Sequence, residues 1–322
     1  MIIWLMLCPK IYRIPSKSKG YPMFTMSRFN LRTVLSLIFL IPVMFPCANA
    51  AGPDSAEYGV VLNLSGKQRM LSQKMSKEVM LVALGVDLDQ NLKNLIATST
   101  LFDETLKGLR NGSDSLRLPP TSSKRILRQL DKIDALWSKF YPEIRTVIDN
   151  RSVSKQQVMA IANNNLPLLK EMNKAVGLYE KDAQKGGLKS DPGLASSLNL
   201  SGKQRMLTQK MSKEFLLVAY GEDVANNKLN LLETYTLFER TLNGLLDGDQ
   251  TLGLPGTKQQ NIRKQLAVVS DLWKGFKPLV AKGSEEGSDI SKDMIVKLAT
   301  SNLPLLKEMN KAVGMYEKEA AK

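Results

Sequence analysis

One stretch of this chain occurs twice, and that duplication limits what the chain can fold into. LNLSGKQRMLSQKMSKE at residues 62–78 returns as LNLSGKQRMLTQKMSKE at residues 198–214. Sixteen of the 17 positions agree; Ser72 in the first copy is Thr208 in the second. The repeat runs over most of the chain at an offset of 136, aligning Phe102 with Phe238, Pro119 with Pro255, Trp137 with Trp273 and Pro142 with Pro278. Near the end the offset becomes 137, and LPLLKEMNKAVG at residues 166–177 recurs unchanged at 303–314. A period of this size describes two like domains in tandem. A segment kept this closely inside a divergent duplication is either a packing key or a site.

Placed on a helix at about 100° per residue, the repeated stretch has two faces. Leu64, Leu71, Met75 and Val82 form an ordinary core-facing stripe. The other side carries Leu62, Gly66, Arg69, Gln73, Ser76 and Met80, and in the second copy Leu198, Gly202, Arg205, Gln209, Ser212 and Leu216. Glycine inside a helix costs roughly 1 kcal/mol against alanine, so Gly66 and Gly202 point to close approach of another backbone or a ligand. One reading is a solvated face with a chance arginine. The sharper reading is a second buried face that meets its own copy around a small ligand. Two guanidiniums about 6 Å apart would repel by roughly 3 kcal/mol at an effective dielectric of about 20. A planar oxyanion between them would replace that repulsion with charge-assisted hydrogen bonds.

Composition narrows the function. Residues 26–50 read as a secretory signal peptide, with Arg28 and Arg32, an apolar run over 33–45 and Ala48-Asn49-Ala50 as cleavage site. Met26 or Met23 is the expected start, and residues 1–50 are expected to be removed. The chain carries 45 Lys+Arg against 31 Asp+Glu; without residues 1–50 the basic count is 39, a net +8. In an exported protein nucleic acid is not the expected partner, and that moderately basic balance leaves anionic small molecules or an anionic surface. No later stretch is long and apolar enough for a stable membrane span. Cys8 and Cys47 are lost with the leader and there is no histidine. Thiolate and imidazole metal sites, haem ligation and histidine-based triads are thereby excluded, and no cofactor, metal site or catalytic residue is expected.

The fold class expected is all-α: two tandem antiparallel four-helix bundles over residues 51–184 and 198–322, joined by a linker at 185–197. Helices are expected at about 58–84, 88–109, from 121–123 onward and 154–183, with Asn111-Gly112 and Pro119-Pro120 marking a loop. Pro167 and Pro304 should kink or break the fourth helix of each copy. The linker, KGGLKSDPGLASS, should break the helix. A short linker after an up-down-up-down bundle allows the two repeated helices to lie parallel, with Arg69 facing Arg205, in a covalent pseudo-dimer. End-to-end bundles are the other arrangement compatible with the sequence.

SGKQRMLSQKM from Ser65 and SGKQRMLTQKM from Ser201 resemble the signature of the PilJ/NarX-like sensor domain. That domain is the periplasmic N-terminal module of type IV pilus methyl-accepting chemotaxis transducers and of nitrate/nitrite-sensing histidine kinases. The resemblance implies a four-helix bundle whose first helix carries a "P box" that binds nitrate between two such helices. It implies Gly66 and Arg69, with Gly202 and Arg205, as the ligand-binding positions; Gln73 and Gln209 join them by their place on the same stripe. Lys67 and Gln68 resemble the pilus-transducer version more than the nitrate-sensor version.

Three functions follow as expectations. The first is a periplasmic, non-enzymatic sensor or binding protein for a small anion, nitrate or nitrite first, signalling to a membrane-bound chemoreceptor or sensor kinase. The second is an interaction module whose exposed Gly-Arg-Gln stripe docks a partner helix. An enzyme is the weakest, because candidate acids differ between copies: Glu104 aligns with Arg240, Asp131 with Ala267 and Asp134 with Ser270. The shared Glu78 and Glu214 are expected to pair with nearby lysines, Lys74 and Lys77 for Glu78.

Overall fold

The computed structural model describes residues 53–322. The expected signal peptide and start sites lie outside the described residues. Eight α-helices follow one another: α1 (Ser55–Ala83), α2 (Leu88–Asn111), α3 (Lys124–Asn150), α4 (Lys155–Lys185), α5 (Pro192–Tyr220), α6 (Val224–Asp247), α7 (Gln260–Ser284) and α8 (Lys292–Ala320), with one 3-10 turn at Gln250–Leu252. The fold is all-α, as the periodicity predicts.

Local chemistry explains most boundaries. Asp54 and Glu57 form a reciprocal capping box at α1, and Ser154 and Gln157 form another at α4. Asp191 caps α5, with Pro192 at the first helical position, where a missing N–H does no harm. Helix α1 stops before Gly85, which turns in the left-handed region at φ 69°. The one-residue offset between copies falls at the α7–α8 connection: α3 has 27 residues, α7 only 25, and a longer loop follows it.

Two expectations need correction. The break between copies is short, because α5 begins at Pro192 and takes in half of the stretch read as linker. Of the kink or break expected at Pro167 and Pro304, the break does not occur; α4 and α8 run through them, as α3 and α7 run through Pro142 and Pro278. A proline inside a helix costs about 3 kcal/mol. Here Leu168, Leu169 and Met172, and their counterparts Leu305, Leu306 and Met309, are buried just beyond it. Each such side chain gains about 1.5–3 kcal/mol on burial, so packing outweighs the local defect.

Each copy packs its first helix against its second and fourth, and its third closes the bundle against the same two. The copies join through α1 and α5, which meet more extensively than any other pair of helices. Helix α1 also touches α8, and α4 touches α5. Side-chain contacts give the directions. Asn63, early in α1, bonds Glu317 near the end of α8, while Lys77 bonds Asn302. Thr208 and Arg205 of α5 meet Asn302 and Asn310 in the same descending order. Both α1 and α5 are therefore antiparallel to α8 and parallel to each other. The two repeated helices thus form the centre, buried on two faces. Among the described residues no helix is long and apolar enough to cross a membrane.

Candidate functional site

The polar stripe of α1 is not solvated. Leu62, Gly66, Arg69, Gln73, Ser76 and Met80 are all buried, as are Leu198, Gly202, Arg205, Gln209, Ser212 and Leu216 of α5. Arg69 is 3% exposed and Arg205 2%. The stripes face each other across a local two-fold, so equivalent residues meet. A Cβ built on Gly66 would lie 3.3 Å from Nη2 of Arg69, 3.6 Å from Nη2 of Arg205 and 3.8 Å from Cα of Gly202. A Cβ on Gly202 would meet the same two nitrogens at 3.4 and 3.5 Å. Glycine at both positions lets the backbones approach and leaves room for two guanidinium tips over one point.

Asparagines hold the tips. Arg69 donates through Nη2 to the carbonyl of Asn199 at 2.9 Å and through Nη1 to Oδ1 of Asn173 at 3.3 Å. Arg205 donates through Nη2 to the carbonyl of Asn63 at 2.9 Å, and through Nη1 to Oδ1 of Asn63 at 2.8 Å and of Asn310 at 3.3 Å. Each arginine thus crosses to the other copy's key helix and also touches its own copy's fourth helix. Both side chains lean toward the helix N-terminus, as long helical side chains do.

The electrostatics are one-sided. Neither guanidinium forms a salt bridge among the described residues, and Nε of each is buried without a partner among them. The carboxylates that act on them, Glu180 and Glu317, are themselves engaged by the side-chain amides of Asn199 and Asn63. Burial lowers Arg69 to about 10, against the pull of Glu180. Burial, with Arg69 as the next contribution, lowers Arg205 to about 9. Half-buried Lys67 and Lys203 flank the pair, each pushed down by burial and then by the opposite copy's arginine. Taking a charge out of water costs several kcal/mol per ion unless partners compensate. Four basic side chains thus meet at one helix crossing, with Glu180 and Glu317 as the carboxylates acting on the arginines.

Gln73 and Gln209 share the seam but do not hydrogen-bond either arginine among the described residues. Nε2 of Gln73 donates to Ser72 at 3.2 Å; that of Gln209 donates to Thr208 at 3.1 Å and Asn302 at 2.8 Å. Sequence reasoning passed over the asparagines and Lys213, and saw Lys77 only as a partner for Glu78. The signal was present: Asn63, Lys77 and Asn173 fall within the two closely repeated stretches and are themselves unchanged between copies. The expected Lys77–Glu78 pair needs correction. Glu78 bonds Lys74 and Thr98, whereas Lys77 turns across the interface to Oδ1 of Asn302 at 3.1 Å.

Such an arrangement, two four-helix units meeting through closely similar polar helices, defines a tandem helical-bundle protein. The sequence matches the family described as "Type IV pili methyl-accepting chemotaxis transducer N-term" over residues 55–163 and 188–294, one match per copy and together more than half of the chain. The chain belongs to this PilJ family. It is similar to "Methyl-accepting chemotaxis protein McpN" of Pseudomonas aeruginosa PAO1, with 27% identity over 124 residues. That likeness covers 38% of this chain and 22% of the length of that relative.

Proposed function

We propose that this protein is a sensor module that binds one small planar oxyanion, nitrate or nitrite first, between α1 and α5. One observation carries the reading: Arg69 and Arg205, both buried and outside any salt bridge among the described residues, bring their tips to one point over Gly66 and Gly202. Guanidinium forks match planar oxyanions, and an anion there offsets both the mutual repulsion and the burial of two charges. The module acts by binding rather than catalysis. Its family argues for a signalling role, with a membrane-bound chemoreceptor or sensor kinase as partner, and the leader-like residues 26–50 argue for a periplasmic site of action. A docking module using the Gly-Arg-Gln stripe is less well supported, because that stripe is buried within the chain.

The test is thermal unfolding of residues 51–322 with nitrate, nitrite, sulfate and chloride at matched ionic strength. A ligand at 100 times its dissociation constant adds about 2.7 kcal/mol. The expected outcome is a rise in Tm for nitrate or nitrite that disappears in Arg69→Ala and Arg205→Ala, both folded. Equal shifts for all four salts would sink the reading.

A further inference from the structure

Below the arginines, the same seam buries a second pair of cations. Lys77 and Lys213 are each 3% exposed, and neither forms a salt bridge among the described residues. Among the described residues each ammonium has a single hydrogen-bond partner, an asparagine on the opposite copy's fourth helix: Lys77 with Asn302 at 3.1 Å, Lys213 with Asn165 at 3.2 Å. Those asparagines lead back to the arginines. Nδ2 of Asn165 donates to the carbonyl of Ser72, whose hydroxyl donates to the carbonyl of Arg69. Nδ2 of Asn302 donates to the carbonyl of Thr208, whose hydroxyl donates to the carbonyl of Arg205. The lysines and the arginine site thus belong to one hydrogen-bonded lattice that spans both copies.

We propose that Lys77 and Lys213 are proton-linked partners of the arginine site, their protonated forms favouring the anion, so that anion binding takes up protons. The proposal rests on the anion reading above. Its physical basis is distance and burial. Positions 69 and 77 are about 12 Å apart along α1. At an effective dielectric of about 20, a unit charge at that separation changes the other's equilibrium by about tenfold. An anion between the arginines therefore raises the proton affinity of each lysine, and by reciprocity each proton raises the affinity for the anion.

The lysines titrate in the right range. Burial lowers both to about 8, with Glu78 opposing and Lys74 adding for Lys77, and Glu214 and Lys210 doing so for Lys213. These charges come from the lysines' own helices. From the packed elements, α8 presents Asn302, α5 presents Gln209 and Ser212, α4 presents Asn165, and α2 places Thr98 beside Glu78, all neutral. Below pH 7 both lysines are protonated in either state and no uptake occurs. As pH rises through about 8, the free protein loses protons that the anion-bound protein keeps, and affinity falls.

The experiment is calorimetric titration of residues 51–322 with nitrate at pH 6.5 and pH 8.5, each in two buffers of different ionisation enthalpy, on the native chain and on the Lys77→Met/Lys213→Met variant. The native chain is expected to take up about one proton per nitrate at pH 8.5 and almost none at pH 6.5. Its affinity should weaken several-fold over that interval, and the variant should lose most of both effects, keeping only the smaller uptake of Arg205, which burial lowers to about 9. Arg-dependent nitrate binding without proton uptake would overturn the lysine proposal and leave the anion site standing. Undiminished uptake in the variant would also overturn it, moving the titration to Arg205. Absence of saturable nitrate binding at either pH would overturn both.

Discussion

Lys77 and Lys213 occupy equivalent positions, yet their surroundings make them unequal to replace. Oδ1 of Asn302 accepts from Lys77 and also from Gln209, so it keeps a partner in Lys77→Met. Among the described residues Oδ1 of Asn165 accepts from Lys213 alone. Exchanging a buried charge for an apolar side chain of similar shape is neutral or stabilising, whereas stranding a buried acceptor costs about 1–3 kcal/mol. Lys77→Met is therefore expected to raise stability at pH 7 by about 1–3 kcal/mol, and Lys213→Met to raise it less or lower it, as chemical denaturation would measure. The pH dependence follows from the depressed lysines. Their penalty is fully present below about pH 8 and is relieved as pH rises toward the unfolded value near 10.5. The native chain should gain stability over that range, and the double methionine variant should lose that gain. At the glycines the expectation is opposite in kind. Alanine at position 66 or 202 meets only the flexible ends of arginines at 3.3–3.6 Å, and alanine favours helix by up to about 1 kcal/mol. Gly66→Ala and Gly202→Ala should fold with near-native stability but lose nitrate-induced stabilisation.

Among the elements, the two copies solve one packing problem in two ways. Phe215 of α5 fills the space over Gly283 of α7, and a Cβ there would come within 2.4 Å of the ring. At the equivalent positions α1 and α3 place Val79 and Val147, both fully buried. The exchange of two valines for a phenylalanine and a glycine conserves volume, which cores tolerate best. Gly283→Ala is expected to destabilise by about 1–3 kcal/mol, and Phe215→Val combined with Gly283→Val to recover most of the loss, as paired thermal melts would show. If the single variant is neutral, the ring has room to move. Several helix boundaries were legible in sequence, because caps and left-handed glycines act locally: Ser154 and Gly85 mark their ends, whereas the start of α5 at Pro192 lies within the stretch read as linker. The persistence of α4 through Pro167 was not legible. It depends on partners that sequence reasoning cannot place beside it.

The whole molecule behaves as a dimer whose two subunits are one chain. The first copy alone, residues 53–185, would present Leu62, Gly66, Arg69 and Gln73 to solvent. Because the α1 and α5 seams are nearly identical, a second copy of the fragment can take the place of α5 with the same two-fold contacts. Analytical ultracentrifugation of that fragment is expected to show a dimer, and Arg69→Glu, which sets carboxylates against each other at the crossing, to shift it to monomer. A fragment that stays monomeric and folded would mean that α1 needs the covalent link to find its partner.

The duplicated stretch by itself determined the class of fold, the number of units and the positions worth watching. Helical periodicity and caps are properties of residues near one another in the chain, and the lack of histidine is read from composition alone. It also marked Gly66, Arg69, Gly202 and Arg205, because their spacing places each pair on one face of one helix. Only the tertiary structure decided that the two faces meet in parallel, that asparagines rather than carboxylates hold the arginines, and that Lys77 leaves Glu78 for Asn302. Those outcomes depend on which helix of one copy lies against which helix of the other. That choice is made by burial summed over the whole interface, which no local pattern records.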